Sequence, residues 1–384
     1  MAKSQTYQRL AAAVTGTTDD AGIRFTTRFD AAGGPGSRVM PPTYSGGTYL
    51  TAERLLDEGK PILTVLVDSF QSQANRVEEA LLQARDDGRI ALPLFELDTD
   101  VGPWHLRLTS LDMPHRYADA YLRDSTIDGV RFDRTQVGAA LRVASPENAS
   151  ALYRHDPVSL VLGAWNSHRK GRQPRFARAY KSEVLGIDPQ REERRGGRLD
   201  PINLTGGVDG TGDGDWKFTT GGDRKAKGKR LSEIGHGNAL AKDGSPGGFT
   251  VAEIRRIGFL SFAALERLRF PGAADQGAAV AGRATLAALA LAGDRLAFDR
   301  AGHVFRSGCE LTTRFDELAW EMRGGVTEPL TLDAEGALAL FAEAVTTAAE
   351  HGLPMESGTI AIEPIAGLRA AIEHAYLAAQ TGDS

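Results

Sequence analysis

Apolar positions along this chain recur with two spacings. Leu63, Thr64, Val65, Leu66 and Val67 form a β-branched run after Gly59, Lys60 and Pro61, which predicts a buried strand. From Ser72 to Ala84 the spacing changes. Ala74, Val77, Leu81 and Ala84 fall on one face and Gly88 follows, the pattern of an amphipathic helix and its stop signal. Val158 to Leu162 is a second strand candidate, about Phe176 to Ile187 a third, and Thr359 to Ile362 another. Helical spacing returns at about 252–269, 277–292, 334–350 and 368–379, although Phe249, Thr250 and Val251 favour a β start to the first of these. Strand, helix, two strands, helix, strand in that order predict an α+β fold, a sheet with helices on one face in the split βαβ arrangement.

Glycine breaks the pattern between 196 and 248, where it supplies 15 of 53 residues against 44 of 384 in the whole chain. Structureless stretches this long are uncommon inside compact domains and are usually functional or unfolded. The stretch also carries Arg224-Lys225-Ala226-Lys227-Gly228-Lys229-Arg230. It reads as a basic insertion that reaches away from the core and is ordered by a partner. No internal repeat is present, so the 384 residues are expected to form one domain with insertions.

Apolar residues at 41% and charged residues at 25% are those of a folded chain. No run of 18 apolar residues occurs, and Met1-Ala2-Lys3-Ser4-Gln5 lacks the start of a signal peptide. A cytoplasmic protein with no membrane partner is therefore expected. The single cysteine, Cys309, excludes an intrachain disulfide framework and a cysteine-cluster zinc site. The eight histidines include no His-x3-His pair, so no metal is expected. Neither Gly33-Gly34-Pro35-Gly36-Ser37-Arg38 nor Ser45-Gly46-Gly47 has the spacing of a nucleotide-binding loop, and no cofactor is expected.

The net charge of −5 has the wrong sign for a nucleic-acid binder, but it is unevenly spread. Residues 151–256 hold 20 Lys and Arg against 13 Asp and Glu, a surplus of +7 that leaves −12 for the remainder. Such asymmetry suggests a basic surface for polyanions on an acidic body. Basic loops that merely face solvent would give the same sum.

Two stretches carry the chemistry. Asp68-Ser69-Phe70-Gln71-Ser72-Gln73-Ala74-Asn75-Arg76 joins the first strand to its helix. Free amides at a helix start, with Ser72 and Arg76 on one face, could seat a phosphate. A capped helix whose Arg76 pairs with Glu79 or another surface carboxylate is the plainer alternative. The second stretch, from Trp165 to Lys181, holds six Lys or Arg, three aromatics and no acid. Cations neutralise phosphates while aromatic faces stack bases, so this composition suits a groove for single-stranded nucleic acid. A solvated hairpin is the alternative. His168 or Asp68 could serve an RNA-cutting site, but the clustered carboxylates or histidine pair of a conventional nuclease are not visible. A metabolic enzyme binding a phosphorylated small molecule in the basic loop is a further rival.

Asp68 to Arg76 with Glu78, Leu162-Gly163-Ala164-Trp165-Asn166-Ser167-His168-Arg169, and Arg178-Ala179-Tyr180-Lys181-Ser182-Glu183 resemble the RAMP-superfamily backbone subunit of CRISPR Cascade in type I-U (I-G) systems. Leu231 to Asn238 and Leu265 to Pro271 fit the same family, and the similarity spans about Gly36 to Pro271. The resemblance implies a modified RRM-like, ferredoxin-like palm with finger insertions and a thumb, placed here at 196–248. It implies a non-catalytic subunit that lines up in further copies of itself along a CRISPR RNA. That guide pairs with a target DNA strand beside other Cascade subunits, and a separate helicase–nuclease does the cutting. The expected RNA-binding residues are Arg38, Ser69, Gln71, Ser72, Asn75, Arg76, Trp165, Asn166, Ser167, His168, Arg169, Lys170, Arg172, Arg175, Arg178, Lys181, Lys225, Lys227, Lys229, Arg230, His236 and Asn238.

Overall fold

The computed structural model describes residues 3–56, 59–165, 175–194, 196–209, 216–220, 229–231, 235–240, 245–272 and 276–381. Helix α1 (Gln5–Ala13) is capped by Ser4, whose hydroxyl accepts the Tyr7 amide. In β1 (Asp20–Ala31), Ile23, Phe25, Thr27 and Phe29 are buried while Arg24, Arg28 and Asp30 are exposed, the alternation of a strand with one covered face. Strands β2 (Thr51–Leu55) and β3 (Pro61–Asp68) pair as a hairpin. Helix α2 (Phe70–Asp86) starts at Ser69 and buries Ala74, Val77, Leu81 and Ala84 as their spacing predicts. It stops before Gly88, whose φ of 71° suits glycine.

After β4 (Leu94–Val101), β5 (Trp104–Thr109) and the short helix α3 (Pro157–Leu162), the chain returns to the main sheet with β6 (Tyr180–Ile187) and β7 (Glu253–Ser261). Helix α4 (Gln276–Phe298) leads to β8 (Gly302–Arg306), β9 (Cys309–Met322) and β10 (Thr327–Leu330). Helix α5 (Ala334–Glu350), β11 (Thr359–Pro364) and α6 (Ala366–Thr381) complete the chain. The main sheet runs β8–β9–β1–β7–β6–β3–β2, with β10 also on β9 and every pairing antiparallel. Strands β1 and β6, joined through α2, are separated by β7; β7 and β9, joined through α4, are separated by β1. This is the split βαβ order that the sequence predicts, in an α+β fold.

Three stretches differ from their sequence expectation. Val158 to Leu162 is helix, not strand. Asp156 accepts the Ser159 amide at 3.2 Å and its hydroxyl at 2.6 Å, Pro157 opens the first turn, and every residue of α3 is buried, so apolar periodicity carries no signal there. The stretch 252–269 is mainly the strand β7, followed by a short helix Phe262–Glu266 that Ser261 caps. Phe176 to Ile187 is also divided, into a short bridge strand Arg175–Phe176 and β6.

Helix α4 is buried from Ala281 to Arg295, between the sheet on one side and α5 on the other, where Thr285 donates to the Ala344 carbonyl. Its charged residues must therefore find partners inside. Asp294 takes both Arg256 of β7 and Arg295, and Arg295 continues to Asp316 of β9. Tyr180 donates to Asp294 at 2.6 Å, and the Arg256 guanidinium lies 3.7 Å from the Phe298 ring centroid. The sheet curls into half a barrel, and β8 from one end reaches the tip of β3 near the other. Arg306 donates to the Val67 carbonyl at 2.7 Å, and Arg76 to the Phe305 carbonyl at 2.8 Å.

His303 of β8 sits between Phe29, Phe298 and Phe305, with Nε2 3.1 Å from the Thr313 hydroxyl. Burial, helped by nearby Arg300 and Arg256, pushes its pKa down to about 4. The unfolded chain therefore takes up a proton below about 6.5 that the folded chain refuses until about 4. Stability should be full above pH 6.5 and fall as pH drops toward 4, by up to about 3 kcal/mol. Denaturant titrations of wild type and His303→Leu from pH 7 to 4 should show a flatter slope in the variant; equal slopes would contradict this.

A second sheet forms beside the first. Strand β11 lies parallel to β4, and its end runs antiparallel to Ser125–Ile127, so the last strand completes a unit begun by residues 94–131. Helix α6 covers it, stacking Tyr376 on Trp104 at 5.3 Å. The described part of the 196–248 insertion forms short ladders. Gly197–Arg198 pairs with Ala239–Leu240, and Gly207–Asp209 pairs with Lys217–Thr219 and Lys229–Arg230. Gln190–Glu193 and Pro246–Thr250 pair at its root.

Candidate nucleic-acid interface

The motif from Asp68 to Arg76 proves to be largely an internal clasp. Asp68 is fully buried at the end of β3. It accepts Gln73 Nε2 at 2.5 Å, Arg76 Nε at 2.9 Å and Arg306 Nη2 at 3.3 Å. Arg76 also lies 4.5 Å over the Phe305 ring. It therefore pairs with a carboxylate, but with the buried Asp68 rather than with Glu79 or another surface carboxylate. Gln73, which sequence reasoning passed over, faces inward: its Oε1 accepts Arg256 and Ser182, each at 3.0 Å. One amide thus joins the Asp68 cluster to the Arg256–Asp294–Arg295–Asp316 cluster. At the helix start, the Ser72 amide donates to Ser69 Oγ at 3.3 Å, while Gln71 and Asn75 are exposed.

The basic stretch has a different character. Ala164 and Trp165 pair with Phe176 and Arg175 as a short antiparallel ladder. Trp165 is 48% exposed, and the Arg175 guanidinium lies 4.8 Å over its ring. Arg178 is exposed at its tip, and its stem packs on Gly163, where an added Cβ would lie 2.8 Å from Arg178 Cγ. Partial burial, and then the charge of Arg116, press the Arg178 pKa down. Lys181 leaves β6 on the face opposite buried Tyr180 and Ser182, with Nζ 5.8 Å from the Phe70 ring at the start of α2. Among the described residues, Arg175, Arg178 and Lys181 have no carboxylate within ion-pair distance. A cation set of this kind, beside an exposed aromatic, is what a phosphate backbone with stackable bases requires.

Beneath the ladder lies a buried pair. Arg116 donates to Glu78 of α2 at 2.6 and 3.0 Å and to the Gly163 carbonyl at 2.9 Å. Burial pushes the Glu78 carboxyl up to about 7, against the lowering pull of Arg116. Glu78 belongs to the motif around α2. Arg116 stands alone in sequence, and only the fold brings it to Glu78.

The remaining expected residues are scattered. Arg38 is exposed at the insertion root, 3.5 Å from both Glu192 and the Gly247 carbonyl. Asn238 accepts the Asp200 amide at 2.6 Å and donates to Asn203 at 2.7 Å, which commits it to an internal turn. His236 is exposed with its ring 5.9 Å from that of Trp216. Lys229 and Arg230 lie on a strand paired with Gly207 and Val208. Asn166, Ser167, His168, Arg169, Lys170, Arg172, Lys225 and Lys227 lie outside the described residues. Among the described residues, no group of three or more His, Cys, Asp or Glu could hold a metal ion, and no helix is long and apolar enough to cross a membrane.

Residues 23–191 match the model of a family described as CRISPR-associated protein GSU0053. The match indicates a CRISPR-associated protein. It runs from β1 through β6 and so includes Asp68, Gln73 and Arg76 of the clasp but not Arg306, together with the Glu78–Arg116 pair and the Trp165–Lys181 stretch. No curated protein matches the chain.

Proposed function

We propose that this CRISPR-associated chain is a non-catalytic backbone subunit that binds CRISPR RNA in a type I-U/I-G Cascade complex. Copies assemble along the guide, which pairs with the target DNA strand, and a separate helicase–nuclease performs the cutting. The observation that carries this reading is the set Arg175, Arg178 and Lys181, which among the described residues have no carboxylate within ion-pair distance, with Arg175 over the exposed Trp165, in the segment that matches the family. Asp68, the carboxylate a nuclease could have used, is buried and bound to two arginines.

The test is purification from cells that carry a CRISPR array. RNA of guide length should copurify, and the particle mass should grow with RNA length, because head-to-tail contacts do not close on themselves. Protein free of RNA by its absorbance ratio would overturn the RNA-binding reading. A closed dimer indifferent to RNA would overturn the assembly.

A further inference from the structure

We infer that Arg116, held by Glu78, is the positioning residue of the RNA surface: it fixes the turn at Gly163 so that Trp165 and Arg178 are presented together. This rests on the RNA-binding reading above. Arg116 adopts φ of 52°, a left-handed conformation that disfavours any residue but glycine, asparagine or aspartate, and it is only 9% exposed. What it does there accounts for the strain. All three guanidinium nitrogens are used, Nε and Nη2 on the Glu78 carboxylate and Nη1 on the Gly163 carbonyl. The next residue holds the other end of α3, since the Tyr117 amide donates to Asp156 at 2.9 Å and Asp156 caps that helix. Residues 116 and 117 therefore hold both ends of α3 against α2.

Gly163 transmits the constraint. Its φ is 81°, and an added Cβ would lie 2.8 Å from Arg178 Cγ and 3.0 Å from the Phe176 carbonyl. The turn and the stem of Arg178 are thus in direct contact, with the Trp165–Arg175 ladder leaving from the same point. Glu78 pulls the Arg178 pKa up and Arg116 pulls it down, but both Glu78 oxygens are hydrogen-bonded to Arg116, and among the described residues no carboxylate lies within ion-pair distance of Arg178. The charge that remains is aimed at an outside anion.

The decisive variant is the double substitution Arg116→Gly with Glu78→Gln in the full chain. Glycine accepts the backbone conformation, and glutamine avoids leaving a buried unpaired carboxylate. Thermal denaturation should show it folded. Its affinity for a labelled single-stranded RNA should fall about tenfold, and its log–log salt slope should lose about 0.7, one phosphate contact. Adding Arg178→Ala should then cost nothing further, because the two changes remove the same contact. Unchanged affinity, or a fully additive loss, would overturn the inference. If wild type itself binds no RNA, the functional reading fails, and hydrogen exchange decides the positioning alone. Amides of the Trp165–Phe176 ladder should exchange at least tenfold faster in the double variant but not in Arg178→Ala, and equal exchange would overturn it. Should the double variant fail to fold, Arg116→Lys, which keeps a cation for Glu78 but loses the fork to Gly163, takes its place with the same expected outcomes.

Discussion

Asp68→Ala should lower the free energy of unfolding by about 3–5 kcal/mol, the cost of removing one member of a buried ion cluster. Two arginines and a buried amide lose their acceptor at once. The effect should exceed that of an ordinary core truncation at the same depth, because both ends of the curled sheet meet at this carboxylate. Asp68→Asn keeps an acceptor without the charge and should lose less. Denaturant titration with an unchanged m-value would measure both. A loss below about 1 kcal/mol for Asp68→Ala would show that Arg306 and Arg76 do not depend on it. The surviving folded fraction should bind RNA as wild type does, since Asp68 does not reach the surface.

The largest effect on binding is expected at Arg178 and Lys181. Each substitution by alanine removes a charge-assisted contact of about 1.5–3 kcal/mol, a loss of roughly 10- to 150-fold per site. Repeated along a strand carrying many copies, even the smaller figure should dissociate the assembly. Wild-type affinity should fall linearly in log–log form with salt, at about −0.7 per phosphate neutralised and with little dependence on sequence. Fluorescence anisotropy across a salt series measures all of this. Salt-independent affinity, or an Arg178→Ala, Lys181→Ala pair that binds as wild type, would remove the electrostatic basis of the interface.

Some of the fold was legible and some was not, for identifiable reasons. Helix α5 matches its expected limits because Asp333 caps it and its apolar spacing has one buried face. Strand β1 carries a clear alternation, Ile23, Phe25, Thr27 and Phe29, yet the arginines and aspartate between them mask it as polar sequence. Helix α3 and strand β7 defeat periodicity, one because every residue is buried, the other because Arg256 is buried among apolar neighbours through a partner on α4. At the site, the basic stretch 165–181 includes Arg175, Arg178 and Lys181, which among the described residues have no carboxylate within ion-pair distance. Composition could not separate Arg178, which has no carboxylate within ion-pair distance among the described residues, from Arg76, which has one, because Asp68 lies eight residues away and Arg306, which shares it, far down the chain. Arg116 gave no signal at all, since its partners Glu78 and Gly163 are distant in sequence.

The placement of β11 sets an order of events during synthesis. Strand β4 leaves the ribosome more than 250 residues before the strand that must lie beside it, and Ser125–Ile127 waits almost as long on its other flank. Until Thr359–Pro364 emerges, both neighbours present open edges, the kind of surface that nascent chains bury in the wrong partner. Chains cut short near residue 355 should therefore keep the main sheet but aggregate through the second.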